Sequence, residues 1–232
     1  MNTEGPIIGV FGMGGFGLEV FDTLQKGKFR SKELDLSKVD SKRILKVGKL
    51  QGQNTEKDQI SEVDFLASRL KKYFVIAISD KVIRQRLADV AIAHGAIPVS
   101  LFDENSRINE ECRIEMGAIM SSFSLISPNV EIGKFFHLNI YSYVAHDVKI
   151  GNFVTFGPRV SCNGNTIIQD HVYLGAGASL INGQRGKPLI IGEGATIGMG
   201  AVVIRDVDPY STVVGNPAQV VNKKILNNDN YE

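Results

Sequence analysis

The chain has 232 residues, is 43% hydrophobic and 22% charged, and carries a formal net charge of +1. That balance makes no electrostatic case for nucleic acid or an anionic membrane surface, and no apolar run approaches the ~20 residues that span a bilayer. Two cysteines without metal-type pairing, and an N-terminus (MNTEGPIIGVFG) without the basic region and cleavage pattern of a signal peptide, point to a reducing, cytoplasmic setting.

The first hundred residues predict an α/β domain. PIIGVFG (6–12) is a short apolar strand, GMGGFG (12–17) a glycine turn, and GLEVFDTLQKG (17–27) a helix closed by Gly27. ILKVGKL (44–50) is a weak strand candidate in a polar stretch. DQISEVDFLASRLKKY (58–73) has apolar residues at 60, 63, 66 and 70 and is expected to be a helix. YFVIAIS (73–79) has the composition of a buried strand, DKVIRQRLADVAIAHG (80–95) of a helix capped by Asp80 and stopped by Gly95, and IPVSLF (97–102) of a further strand. Together they predict a small parallel sheet built from βα units, residues 1–104.

From Ile108 the period changes to six. Ile108, Ile114, Met120, Ile126, Ile132, Leu138, Val144, Ile150, Phe156, Cys162, Ile168, Leu174 and Leu180 are all apolar. The residue four places on is mostly small or β-branched, with Phe136 as the large exception. The count slips by five within NGQRGKP (182–188) and resumes at Ile191, Ile197 and Val203. No helix or ordinary strand has this period; a parallel β-helix does, with three hexads to a triangular coil. Residues 18 apart then stack ~4.8 Å apart, so Ile114, Ile132, Ile150, Ile168 and Ile191 form one ladder. The five extra residues form a loop at one corner. This domain is expected over 105–221, followed by a tail over 222–232.

His146 and Asp147, in YVAHDVKIGN (143–152), interrupt the repeat at its third and fourth places, which face outward or into a corner. One coil on, at 164, stands a glycine. A base beside a backbone N–H that no side chain covers suits acyl transfer. A solvated turn histidine above a tight glycine corner fits the same spacing.

The stretch NIYSYVAHDVKIGNFVTFGPRVSCNGN, with VYLGAGA, IIGEGATIGMGAVVIRDV and VVGNPA after it, resembles hexapeptide-repeat sugar acetyltransferases of the NeuD/PglD type. The resemblance implies a Rossmann-like N-terminal domain, a left-handed parallel β-helix, and a homotrimer with active sites between subunits. It implies acetyl-CoA as cosubstrate and a nucleotide-linked amino sugar as acceptor, in surface polysaccharide synthesis. Residue by residue it implies His146 as base with Asp147 beside it, Asn139 near the sugar, and Gly164 N–H at the thioester carbonyl. It further implies main-chain contacts to the pantetheine arm at Ala176 and Met199, and Gly215 to Ala218, Pro217 included, near the coenzyme A end. Two places depart from the pattern. Thr155 stands where some members have a second histidine beside the substrate. Gln51 and Gly52 stand where those members have an acid pair.

Gly12, Gly14 and Gly17 satisfy GxGxxG between a strand and a helix, where a backbone can approach a phosphate. No acid closes the second strand as a dinucleotide fold requires. The resemblance gives this loop to the nucleotide-linked sugar; a purely structural turn is the other reading. Arg185 and Lys187 could meet coenzyme A phosphates or simply be solvated. Cys112 and Cys162 are expected in the core. His94 ends a helix, where a favourable dipole interaction is expected. His137, His146 and His171 are not spaced by multiples of 18, which argues against a shared zinc. The expectation is an N-acetyltransferase needing no metal. Sugar O-acetylation and a non-catalytic sugar-binding role are the alternatives.

Overall fold

The computed structural model describes residues 5–48 and 57–223. Gln51, Gly52 and the tail from 224 lie outside them. The chain forms two compact units: the residues up to Glu104 with Glu115–Met120, and Asn105–Ile114 with the residues from Ser121 on.

The first unit holds a five-stranded sheet in the order Gln59–Ser61, Ile44–Gly48, Ile7–Phe11, Lys72–Ile76, Ile97–Pro98. All four pairings are parallel. Ile7–Phe11 and Lys72–Ile76 are buried on both faces, which explains their unbroken apolar runs. Helices Gly15–Gln25 and Lys81–Ala93 follow these two strands. Asp80 caps the second helix by accepting from Val82 N and Ile83 N, both at 2.9 Å. Gly95, at φ 74, follows its end, and His94 Nδ1 lies 2.8 Å from the Val90 carbonyl in the last turn.

Two expectations fail here. The segment 58–73 is a strand, a six-residue helix (Glu62–Ala67) and the start of the next strand. Ser61 caps the helix through Asp64 N, and only Phe65 of its residues is buried, while Val63 is exposed. The apparent helical spacing mixed residues from three elements. IPVSLF is likewise not one strand. Ile97–Pro98 pairs with Tyr73–Phe74, whereas Leu101–Asp103 pairs with Ile119–Met120 and Phe29–Arg30. The Glu33 carboxylate binds Ser100 N and Oγ, both at 3.0 Å, at the break.

The second unit is a parallel β-helix with three faces of two- to four-residue strands. The His137 face carries His137–Leu138, Thr155–Phe156, Tyr173–Leu174, Thr196–Ile197 and Ser211–Val214. The Tyr143 face runs from Arg107–Ile108 through Tyr143–Val144 and Ser161–Cys162 to Val202–Val203. The Lys149 face runs from Arg113–Ile114 through Lys149–Ile150 to Leu189–Ile191. Register is 18 residues as far as Ile168; it is 23 across the slip, where Ile168 pairs with Ile191, and 16 in the last coil, where Thr196 pairs with Thr212. Ile132, Ile150, Ile168 and Ile191 are at most 5% exposed, each worth ~1.5–3 kcal/mol of burial. Phe136 fits inside by packing edge-on against Phe156 at 5.2 Å.

Three edges join the faces. From Met120 to Ile168 the fourth place of each hexad is left-handed: Phe123, Asn129, Phe135, Tyr141, Asp147, Phe153, Arg159, Asn165 and His171 have φ of 53–62°. Such backbone costs on the order of 1 kcal/mol per residue. Ladder hydrogen bonds on both flanks and stacking along each edge offset it. Phe135, Phe153 and His171 stack at 5.2 and 5.5 Å on one edge. Phe123, Tyr141 and Arg159 stack at 5.3 and 6.0 Å on another. Asn129, Asp147 and Asn165 form the third. The slip residues make a hairpin bridged between Gln184 and Lys187. Cys162 is buried, which pushes its thiol up to about 12. Cys112, expected inside, is half-buried with Sγ 2.9 Å from the Ser127 carbonyl, because its hexad belongs to the first coil.

Candidate active site

The edge between the Tyr143 and Lys149 faces carries the titratable pair. Val144 and Val148 are both fully buried and pin the turn from either side. The three residues between them must therefore bow outward. Asp147 takes the left-handed corner at φ 60, a conformation Asp and Asn tolerate best among larger residues. His146 and Asp147 side chains are 65% and 50% exposed.

His146 Nδ1 lies 2.7 Å from Asp147 Oδ2. An ionised carboxylate only accepts, so Nδ1 carries a proton, and in the neutral ring Nε2 then keeps its lone pair. Asn129 Nδ2 donates to the other oxygen, Asp147 Oδ1. The His146 bond first and the Asn129 bond second hold the Asp147 carboxyl below the usual carboxylate range. Asp147 is therefore ionised wherever a neutral imidazole can serve as base.

Gly164 lies on the next coil of this edge. A Cβ there would stand 2.9 Å from His146 Cε1 and 3.0 Å from Nε2. The lone-pair edge of the ring thus rests on bare backbone. Gly164 O accepts from Gly183 N at 2.9 Å and Asn165 N donates to His146 O at 3.1 Å, so ladder bonds hold both coils. The Gly164 N–H has no acceptor among the described residues. The 182–188 hairpin rises from the coil above, tied to this edge by the Asn165 side-chain amide and the Gln184 carbonyl.

The other sequence-predicted residues sit elsewhere. Asn139 follows Leu138 on the His137 face, so it lies on the edge between that face and the Tyr143 face, as do Ala176 after Leu174 and Met199 after Ile197. Within one chain they are a whole face away from His146. Met199 is 78% exposed, and the Ala176 and Met199 N–H groups have no acceptor among the described residues. Beside them runs a stripe that spacing alone did not single out. Gly157, Gly175 and Gly198 stack so closely that a Cβ would come within 2.9 Å of Ala176 N, 2.7 Å of Met199 N and 2.6 Å of Val214 Cγ1. The stripe leads to the exposed turn of Gly215 (φ 94) and Pro217, where Gly215 O accepts from Val202 N at 2.9 Å.

Thr155 is buried on the His137 face between His137 and Tyr173, not at the His146 edge. His137 is on that face, His146 on one edge and His171 on another, and the described residues hold no cluster of three or more His, Cys, Asp or Glu suited to a metal. In the first unit, Gly12 has φ 127, and a Cβ on Gly17 would stand 2.0 Å from Gly12 O. Those two glycines are required by close strand–helix packing; Gly14, with open space around it and no side-chain cap, is not. Asn129 was missed although it stands 18 residues before Asp147.

No family model matches the chain. A GDP-perosamine N-acetyltransferase of Escherichia coli O157:H7 is 42% identical over 214 residues, covering 92% of this chain and 95% of that one. The solved structure of WeeI from Acinetobacter baumannii AYE is 39% identical, covers 93% of this chain and 100% of its own, and superposes with a TM-score of 0.86. A perosamine N-acetyltransferase variant from Caulobacter crescentus, solved with CoA and GDP-perosamine, covers 95% of this chain and 98% of its own at a TM-score of 0.79. Its 21% identity speaks for the fold alone. Identity of this order along nearly the full length of both chains, together with the stacked hexads and the edge they carry, makes the chain an acetyltransferase that belongs to the hexapeptide-repeat sugar N-acetyltransferase family.

Proposed function

We propose that the protein transfers the acetyl group of acetyl-CoA to the amino group of a nucleotide-linked amino sugar, with GDP-perosamine the first acceptor to try. The observation that carries this reading is the His146 ring, held at Nδ1 by Asp147 and laid with Nε2 over Gly164. The sugar amine attacks the thioester carbon and a C–N bond forms. Gly164 N–H supports the oxyanion. His146 Nε2 takes the amine proton, directly or through water. Collapse breaks the C–S bond, and the imidazolium returns the proton to the departing thiolate. The products are the N-acetyl sugar and coenzyme A. Asp147 keeps the imidazole in the competent tautomer.

The working assembly is a homotrimer of left-handed β-helices, with the edge bearing Asn139, Ala176 and Met199 of one copy set against the His146 edge of the next. The division of these residues between two edges of one chain supports it. Pantetheine lies along the glycine stripe, its amides meeting the Ala176 and Met199 N–H groups, with Gly215 and Pro217 at the far end. The Rossmann-like domain, residues 1–104, takes the nucleotide at Gly12, Gly14 and Gly17. The parallel sheet and the glycine turn after its Ile7–Phe11 strand favour this. Asn139 contacts the sugar, and Thr155 is kept as a substrate-side position where a second histidine is replaced. Two free thiols suit the cytoplasm, and the product suits surface polysaccharide assembly.

The test is thiol release from acetyl-CoA with GDP-perosamine and a panel of amino- and hydroxyl-bearing nucleotide sugars. Acceptor-dependent release with an amide product supports the reading; release only with hydroxyl acceptors, or none with any amino sugar, contradicts it.

A further inference from the structure

Asn129 occupies the His146 edge one coil before Asp147, at the same left-handed place of its hexad (φ 57 and 60). Its side-chain amide donates to Asp147 Oδ1, while Oδ2 of the same carboxylate binds His146 Nδ1 at 2.7 Å. The two coils are locked in register on both flanks, Ile126 with Val144 and Glu131 with Lys149. An exposed carboxylate otherwise rotates broadly about χ2 and offers its neighbour either oxygen or neither. With one oxygen bound from below, the other is directed at the imidazole. Asn165, the next residue up this edge, gives its amide to Gln184 O instead, so the support is one-sided.

We infer that Asn129 is a positioning residue for acetyl transfer, holding Asp147 so that its second oxygen fixes His146 in the Nδ1–H tautomer with Nε2 free. This rests on the role of His146 as base. Among the described residues, Asp147 is the charged group bonded to the ring. Nearby elements carry Tyr143, whose hydroxyl binds Asn163 Oδ1 at 2.6 Å, the Glu131–Lys149 pair at 3.5 Å, and Arg185 and Lys187 on the hairpin above.

The experiment compares Asn129→Gly, which deletes the amide and suits the left-handed backbone, with Asn129→Asp, which sets a second carboxylate beside Asp147. His146→Ala is assayed in parallel. Expected for Asn129→Gly is a fall in kcat of about 5- to 20-fold with KM for either substrate within about twofold. Nitrogen-15 spectra of the imidazoles, with His146 assigned from its loss in His146→Ala, should move from one tautomer to a mixture. For Asn129→Asp the acid limb of the kcat/KM profile should move to higher pH. Parent-like kcat, tautomer and pH profile in both variants, with His146→Ala inactive, overturns the positioning role and leaves the base in place. Full activity in His146→Ala removes the base and this role with it.

Discussion

At the scale of single residues, the proposed chemistry depends on which groups meet across coils, 18 residues apart in sequence. Gly164 has no positive φ to demand a glycine, and its constraint is His146 on the coil before it, whose ring and carbonyl oxygen would lie 2.9–3.1 Å from a Cβ. Gly164→Ala should therefore fold normally and shift the ring. A fall in kcat of about 10- to 100-fold with melting temperature within a few degrees is expected, measured by thiol release and calorimetry. Asp147→Asn turns an acceptor into a group that can donate to Nδ1, which would move the proton to Nε2 and abolish the base. A loss of about 10²-fold in kcat is expected, below that of a buried triad carboxylate. The pH dependence has a definite sign. Because the folded state lowers the Asp147 pKa through its His146 and Asn129 bonds, the unfolded chain binds the proton more readily. Stability from these bonds is present above the ordinary carboxylate value near ~4 and is lost as pH falls through the lower folded value. The melting-temperature gap between parent and Asp147→Asn should close over that acid window.

At the scale of elements, the hexad count was legible because each inward position obeys it, and the Ile ladder appears in the observed register. The left-handed corners were not. Phe, Tyr, Arg and His occupy them as readily as Asn and Asp, because neighbouring coils rather than local propensity hold the backbone. Short elements of the first unit were misjudged for the opposite reason. Six residues around Phe65 are too few to show a period, and residues 97–102 divide between two sheets. The ladder gives a quantitative test. Ile168→Ala removes a side chain 1% exposed and packed between Ile150 and Ile191. It should cost about 2–5 kcal/mol, read from denaturant midpoints. Asp80→Ala, removing the cap of Lys81–Ala93, should cost about 0.5–2 kcal/mol.

At the scale of the whole molecule, the separation of Asn139 from His146 is arithmetic that was available in advance. Seven residues are one hexad and one more, so the two stand on neighbouring edges rather than on one. If neighbouring copies complete each site, mixing His146→Ala chains with Asn139→Ala chains should restore up to about a quarter of parent activity, through interfaces that draw the intact residue from each. Restoration that fails in verified mixed trimers would place each site within one chain.

The most direct measurement is the turnover number of His146→Ala in a thiol-release assay with saturating acetyl-CoA and an accepted amino sugar, on protein shown by sedimentation to keep the parent assembly. A base seated over Gly164 predicts a fall of about 10²–10⁴-fold with the fold intact. Turnover equal to the parent would contradict the account.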